Sequence, residues 1–227
     1  MTTLPPLSLL ETRVLGVLIE KERTVPDTYP LSLNALLAGC NQKNNRQPVI
    51  EAREAEVQVV VDALRARSLV IESSGARVTR YSHNLGRVLR VPSQAEALLA
   101  VLMLRGPQTA AELRSGTERM HKFADVSSVE AFLDELAARP EDAGGPLVLR
   151  LPRAPGEREA RWVHLLSGPV DARPPDSTVA AGPFDVSASE IAALRQQQAA
   201  LGSEVARLRG MLERLAAELG VALSSLE

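Results

Sequence analysis

A chain of 227 residues has room for one large domain or two small ones, and an apolar content of 45% marks it as globular rather than disordered. The longest apolar run, Ala97 to Leu104, is far too short to span a membrane, and Pro5, Pro6 and Glu11 interrupt any opening signal segment. The single cysteine, Cys40, excludes an internal disulfide and points to a cytoplasmic setting, while a net charge of −2 excludes a protein that grips nucleic acid with its whole surface.

The elements read clearly from the N-terminus. Ser8 and Glu11 form a helix-start pair in which the hydroxyl caps one free backbone N–H and the carboxylate reaches back to another. The same pattern recurs at Ser93/Glu96, Thr109/Glu112, Ser127/Glu130 and Ser187/Glu190, each opening an apolar periodic segment. Helix one is expected from about Leu9 to Glu22, burying Leu10, Val14, Val17 and Leu18. After a loop from Pro26 to Pro30, helix two runs from about Ser32 to Cys40, with Leu33, Leu36 and Leu37 inward. The polar stretch Asn41 to Pro48 leads to helix three at about Glu54 to Arg67. A strand at Leu69 to Glu72, a turn at Ser73-Ser74-Gly75 and a returning strand at Arg77 to His83 close the unit.

A second unit then repeats the first. Val57, Asp62, Leu64, Ala66 and Arg67 recur as Val129, Asp134, Leu136, Ala138 and Arg139, and Arg80-Tyr81-Ser82-His83 recurs as Arg161-Trp162-Val163-His164. Its helices are expected at Gln94–Arg105, Ala110–Arg114 and Ser128–Arg139, and its strands at Leu147–Leu151 and Ala160–Leu166. Three helices closed by a hairpin are the winged-helix arrangement. The fold class is therefore mainly α with small β-hairpins (α+β). It consists of two tandem winged-helix domains, residues 1–92 and 93–168.

Residues 169–187 are rich in Pro, Gly, Ser and Asp and read as a linker. In 188–227, Ile191, Leu194, Leu201, Val205, Leu208, Leu212, Leu215 and Leu219 alternate at spacings of three and four around a polar Gln198. That is a coiled-coil seam, expected to make a homodimer; Met211, Ala216 and Leu223 widen it enough to leave a trimer open.

Candidate DNA contacts cluster before helix three. Asn44, Asn45 and Gln47 have side chains that pair bidentately with adenine, and Arg46 has one that pairs with guanine. Lys43, Arg77 and Arg80 suit phosphate, and Ser73 to Val91 contains no acid. Against this, helix three carries Glu51, Glu54 and Glu56 at its start, and the second unit is acidic. Residues 1–92 carry 12 Lys/Arg against 9 Asp/Glu, whereas 93–168 carry 9 against 11. No nucleophile motif, phosphate loop or metal-ligand spacing is present, so no catalytic residue, metal or cofactor is expected.

The stretch Thr24 to Arg46 (TVPDTYPLSLNALLAGCNQKNNR) resembles the signature of the YceH family of bacterial proteins. Further matches are RGPQTAAELR at Arg105–Arg114, RMHKF at Arg119–Phe123 and LVLRLPRAPGEREARWVHLLSG at Leu147–Gly168. The resemblance covers roughly residues 7–168 and implies tandem winged helices with no particular activity. Two functions are therefore expected. One is a homodimeric regulator whose first domain reads double-stranded DNA; the other is a non-enzymatic adaptor, with the second domain as a surface for a protein partner.

Overall fold

The computed structural model describes residues 4–75, 78–153, 156–170 and 207. Met1–Asp176 form one compact unit and Ser177–Glu227 a second, of which only Arg207, helical and exposed, is described. The linker beyond Val170, the Ser187/Glu190 pair and the heptad seam therefore lie outside the described residues, as does Arg77.

The first unit is mainly α with small antiparallel sheets. It runs α1 (Leu9–Thr24), β1 (Leu31–Ser32), α2 (Leu33–Cys40), α3 (Glu54–Ala66), β2 (Val70–Gly75), β3 (Val78–His83) and α4 (Leu85–Leu89). It then restarts with α5 (Ser93–Arg105), α6 (Ala110–Thr117), α7 (Val126–Ala137), β4 (Val148–Arg150) and β5 (Trp162–His164). One sheet has the order β1-β3-β2, with Leu31 opposite Tyr81 and Glu72 opposite Tyr81 from the other side. The second pairs β4 with β5, Arg150 facing Trp162, and Gln108 bridges to Trp162 where β1 meets Tyr81 in the first sheet.

Three features differ from the sequence reading. Strand β1 and helix α4 were not expected, because two apolar-polar residues and five residues after a strand carry too little periodicity. The turn expected at Ser73-Ser74-Gly75 is instead the end of β2, which pairs with β3 out to Gly75 opposite Val78. Two of the five helix-start pairs do not form. Helix α5 begins at Ser93 itself after Pro92, and Glu96 turns inward to Arg23 at 3.6 Å. Helix α7 begins earlier, capped by Asp125, which accepts from Ser128 N at 2.7 Å. Ser8/Glu11 and Thr109/Glu112 form the reciprocal boxes as expected.

Helices α1 and α5 are central rather than amphipathic. Glu11 to Ile19 and Ala95 to Leu104 are buried on every face, so each helix is surrounded by its own unit on one side and by the other helix on the other. Gly16 permits that crossing: a Cβ there would lie 2.9 Å from Leu104 Cγ. One hydrophobic core consequently runs through both repeats, from Leu7 to Leu166.

A candidate interaction surface around α3 and the two hairpins

The polar stretch between α2 and α3 is built from the inside. Arg13 projects from the middle of α1, is fully buried, and donates from Nη1 to Cys40 O (3.1 Å) and from Nη2 to Pro48 O (2.6 Å). Burial first, and the nearby Arg46 charge second, hold its pKa below the usual arginine value. Arg46 is also inside, only 4% exposed. Its Nη2 and Nη1 fork onto Glu20 at 2.6 and 3.2 Å, Nε reaches Gly39 O at 3.1 Å, and the remaining donors reach Asn45 O and Gln42 Oε1. Burial pushes the Glu20 carboxyl up, but the hydrogen bond and charge of Arg46, helped by Lys21, outweigh it and hold its pKa low. Asn41 closes the ends of the stretch by exchanging two 2.8 Å bonds with the backbone of Ala52. Gln47 N donates to Leu104 O at 2.8 Å, fastening the stretch to α5.

This overturns the assignment of Arg46 as a base reader. A guanidinium with its donors spent on Glu20 and carbonyls, and with no water access, cannot reach a groove. Of the other candidates, Lys43, Asn44, Asn45 and Gln47 are exposed, with Asn45 at φ 59° turning the chain. Arg80 is exposed but occupied, its Nη1 donating to Pro30 O (2.8 Å) and Thr28 O (3.3 Å). The second repeat shows what that contact is for. Arg161 Nη1 donates to Pro107 O at 3.2 Å in the same place, so both arginines tie the returning strand to the segment entering the second helix. Arg80 is a fastening of the fold, not a free phosphate contact.

Helix α3 presents a different outer face. Ala55, Val59, Asp62 and Ala66 share one exposed stripe, with Val59 68% exposed. The cations beside it are paired: Arg53 with Glu56 at 3.1 Å, and Arg65 with Asp62 at 3.0 Å and Glu72 at 2.8 Å. Glu51 and Glu54 have no ion pair among the described residues. The equivalent helix α7 exposes Ser127, Ala131, Asp134 and Glu135, again without a cation. Sequence reasoning missed both the inward cations and the outward valine. Arg13 sits one turn from Val17 on the face assigned to the core, and Val59 falls off the Val57–Val61–Leu64 core spacing.

Of the histidines, His83 contacts Glu22 at 3.0 Å, whereas His164, at the equivalent strand end, has no acid partner among the described residues; the Nδ1 of each is buried and unpartnered. Burial lowers the His164 pKa to about 4. Cys40 is fully buried, and burial raises its thiol to about 12 despite the two arginines nearby. Among the described residues no group of His, Cys, Asp and Glu is placed to hold a metal, and no helix is long and apolar enough to cross a membrane.

Residues 7–157 match the family described as "Protein of unknown function, DUF480". The chain belongs to the DUF480 family, the YceH-type proteins. It is 58% identical over 217 residues to a UPF0502 protein of Acidovorax sp. (strain JS42), covering 96% of each chain. A UPF0502 protein of Burkholderia orbicola (strain MC0-3) is 58% identical over 216 residues, covering 95% of this chain and 90% of the relative. One of Burkholderia multivorans (strain ATCC 17616 / 249) is 59% identical over 215 residues, with the same coverage. Similarity to these UPF0502 proteins thus extends past the part of the chain that the DUF480 match covers.

Proposed function

We propose that this DUF480 chain is a tandem winged-helix protein that works as a non-enzymatic interaction module, with α3 as its contact helix. In a winged-helix unit the third helix and the hairpin face the partner. The observation that carries the reading is the α3 stripe of Ala55, Val59, Asp62 and Ala66, flanked by glutamates and by arginines that are already paired. A duplex offers a phosphate for every ~1.7 Å of its axis, so an acidic, apolar helix entering its groove is repelled on electrostatic grounds. The same face suits a protein interface, where a small apolar centre is ringed by polar groups. From the sequence pattern alone, the seam from Ile191 to Leu219 is proposed to pair two copies, so that each assembly displays two such faces.

A DNA-binding reading survives on one observation, the exposed Lys43-Asn44-Asn45 tip with Gln47 beside it. The two readings separate in a single pair of measurements. The purified chain is titrated with pooled random duplex DNA at ~50 and ~200 mM salt, where phosphate contacts lose affinity steeply. In parallel, wild-type and Val59→Arg chains are used as baits for proteins from the cells that produce the protein. The interaction module is supported by weak or absent DNA binding with a protein retained by wild type and lost with Val59→Arg. An enriched two-fold DNA motif with steep salt dependence overturns it in favour of the regulator.

A further inference from the structure

Both hairpins are antiparallel, with six residue pairs in the first and three in the second, and they differ in charge at one matched position. In the first, Glu72 faces Tyr81 and is held by Arg65 at 2.8 Å. In the second, Arg150 faces Trp162 instead, with its guanidinium 5.7 Å from the centre of the indole ring. Arg150, Arg153 and Arg158 line a cavity of about 260 Å³ whose floor is Trp162 and whose other walls include Glu130 and Glu159. None of the three arginines has an ion pair among the described residues. Glu157, next to Arg158 in the chain, is taken by Arg161 at 3.3 Å, and Arg161 in turn holds Glu112 at 2.9 Å.

We infer that this cavity is a docking site for an acidic polypeptide segment of a protein partner. The inference rests on the interaction-module reading and names the partner's chemistry at its second contact point. Guanidinium forks match carboxylates, and Arg150 is held in place by the ring beneath it, so little side-chain freedom is lost on binding. Glu130 and Glu159 in the walls repel carboxylate and phosphate alike and leave three arginines against two glutamates, an excess of one positive charge. That excess suits the few carboxylates of a short acidic segment better than the unbroken phosphate row of a nucleic acid, which is held by many cations together. Trp162 is only 2% exposed, so it cannot stack on a base.

The chain contains one tryptophan, so its emission reports this cavity without labelling. The full chain is titrated with end-blocked hexaglutamate, and separately with random duplex DNA and with inorganic phosphate at matched ionic strength. A saturating change in Trp162 emission is expected with hexaglutamate, weakened about tenfold in Arg153→Gln/Arg158→Gln through lost charge-assisted hydrogen bonds and retained in Arg87→Gln. Both substitutions in the double variant lie at exposed positions, so its fold is checked by its unchanged melting temperature. No saturating change, an equal response to phosphate, a tighter response to DNA, or an unaltered affinity in the double variant each overturns the site. If the peptide response fails while Val59-dependent capture persists, only this site falls; if both fail, the interaction-module reading falls with it.

Discussion

A cation without water must be matched donor by donor, and that requirement makes Arg46 a stability residue. Removing its side chain leaves Glu20, half of a hydrogen-bonded pair and largely inside, with only Lys21 at 3.4 Å to offset its charge. Arg46→Ala should therefore cost about 3–5 kcal/mol, as breaking a buried pair does. Lys43→Ala, three residues away and exposed, should cost almost nothing; urea unfolding of the two variants checks the contrast. An Arg46→Ala chain as stable as wild type would return Arg46 to the list of surface contacts. At Cys40 the expectation is kinetic. A thiol raised to about 12 and fully buried supplies no thiolate at neutral pH, so a disulfide reagent should label it only at the rate of unfolding. His164 contributes to the acid limb of stability. Its folded pKa, about 4, lies below the ordinary 6.5, so the unfolded chain binds the proton first and stability falls as pH drops from 6.5 towards 4. The loss is on the order of 3 kcal/mol from this group. In His164→Phe the urea midpoint should change less between pH 7 and pH 4.5 than in wild type; equal changes would assign the acid sensitivity elsewhere.

At the scale of elements, the crossing of the first two helices in each repeat is set by one glycine. In α2, a Cβ on Gly39 would lie 2.5 Å from Cγ1 of the fully buried Val17; in α6, one on Gly116 would lie 3.1 Å from Val101 Cγ1. Each glycine is the next-to-last residue of its helix, so alanine gains less than the about 1 kcal/mol of a helix interior, while overpacking costs about 1–3 kcal/mol. Gly39→Ala should therefore lower the melting temperature, while Gly116→Ala, where the valine need give only a few tenths of an ångström, should be near neutral. Two equal shifts would show that the repeats tolerate the crossing alike. These glycines also mark where the sequence stops being legible. The three main helices of each repeat, the two hairpins and the boxes at Ser8 and Thr109 are local patterns and were readable from spacing. The inward turn of Arg13 and Arg46, and of Glu96 from a helix-start position, depends on long-range partners such as Pro48, Glu20 and Arg23. An arginine that packs inside and one that faces a groove are the same letter in the sequence. Only the repeat helped: Arg80 and Arg161, read together, were matched in the sequence, and the structure gives both the same task.

At the scale of the whole chain, the two repeats share an order of elements and differ in their surfaces. The first offers an apolar helix stripe with its cations neutralised, and the second a cavity in which three arginines outnumber two glutamates, so a partner touching both would need an apolar patch beside an acidic segment. On the proposed reading, two such surfaces on one chain would gain affinity by acting together, and pairing two chains would multiply that gain again. The seam residues make this testable without any partner. Placing like charges at two adjacent seam positions with Leu208→Glu/Leu212→Glu puts four carboxylates into a two-stranded seam, where a single polar residue already weakens pairing. Sedimentation equilibrium should show an oligomer for wild type and a monomer for the double variant. The melting transition of the Met1–Asp176 unit should be unchanged, because both substitutions fall in the second unit, Ser177–Glu227. A monomer for both chains would remove the avidity argument and leave each face to hold its partner alone. A trimer for wild type would keep the argument and raise the number of faces per assembly.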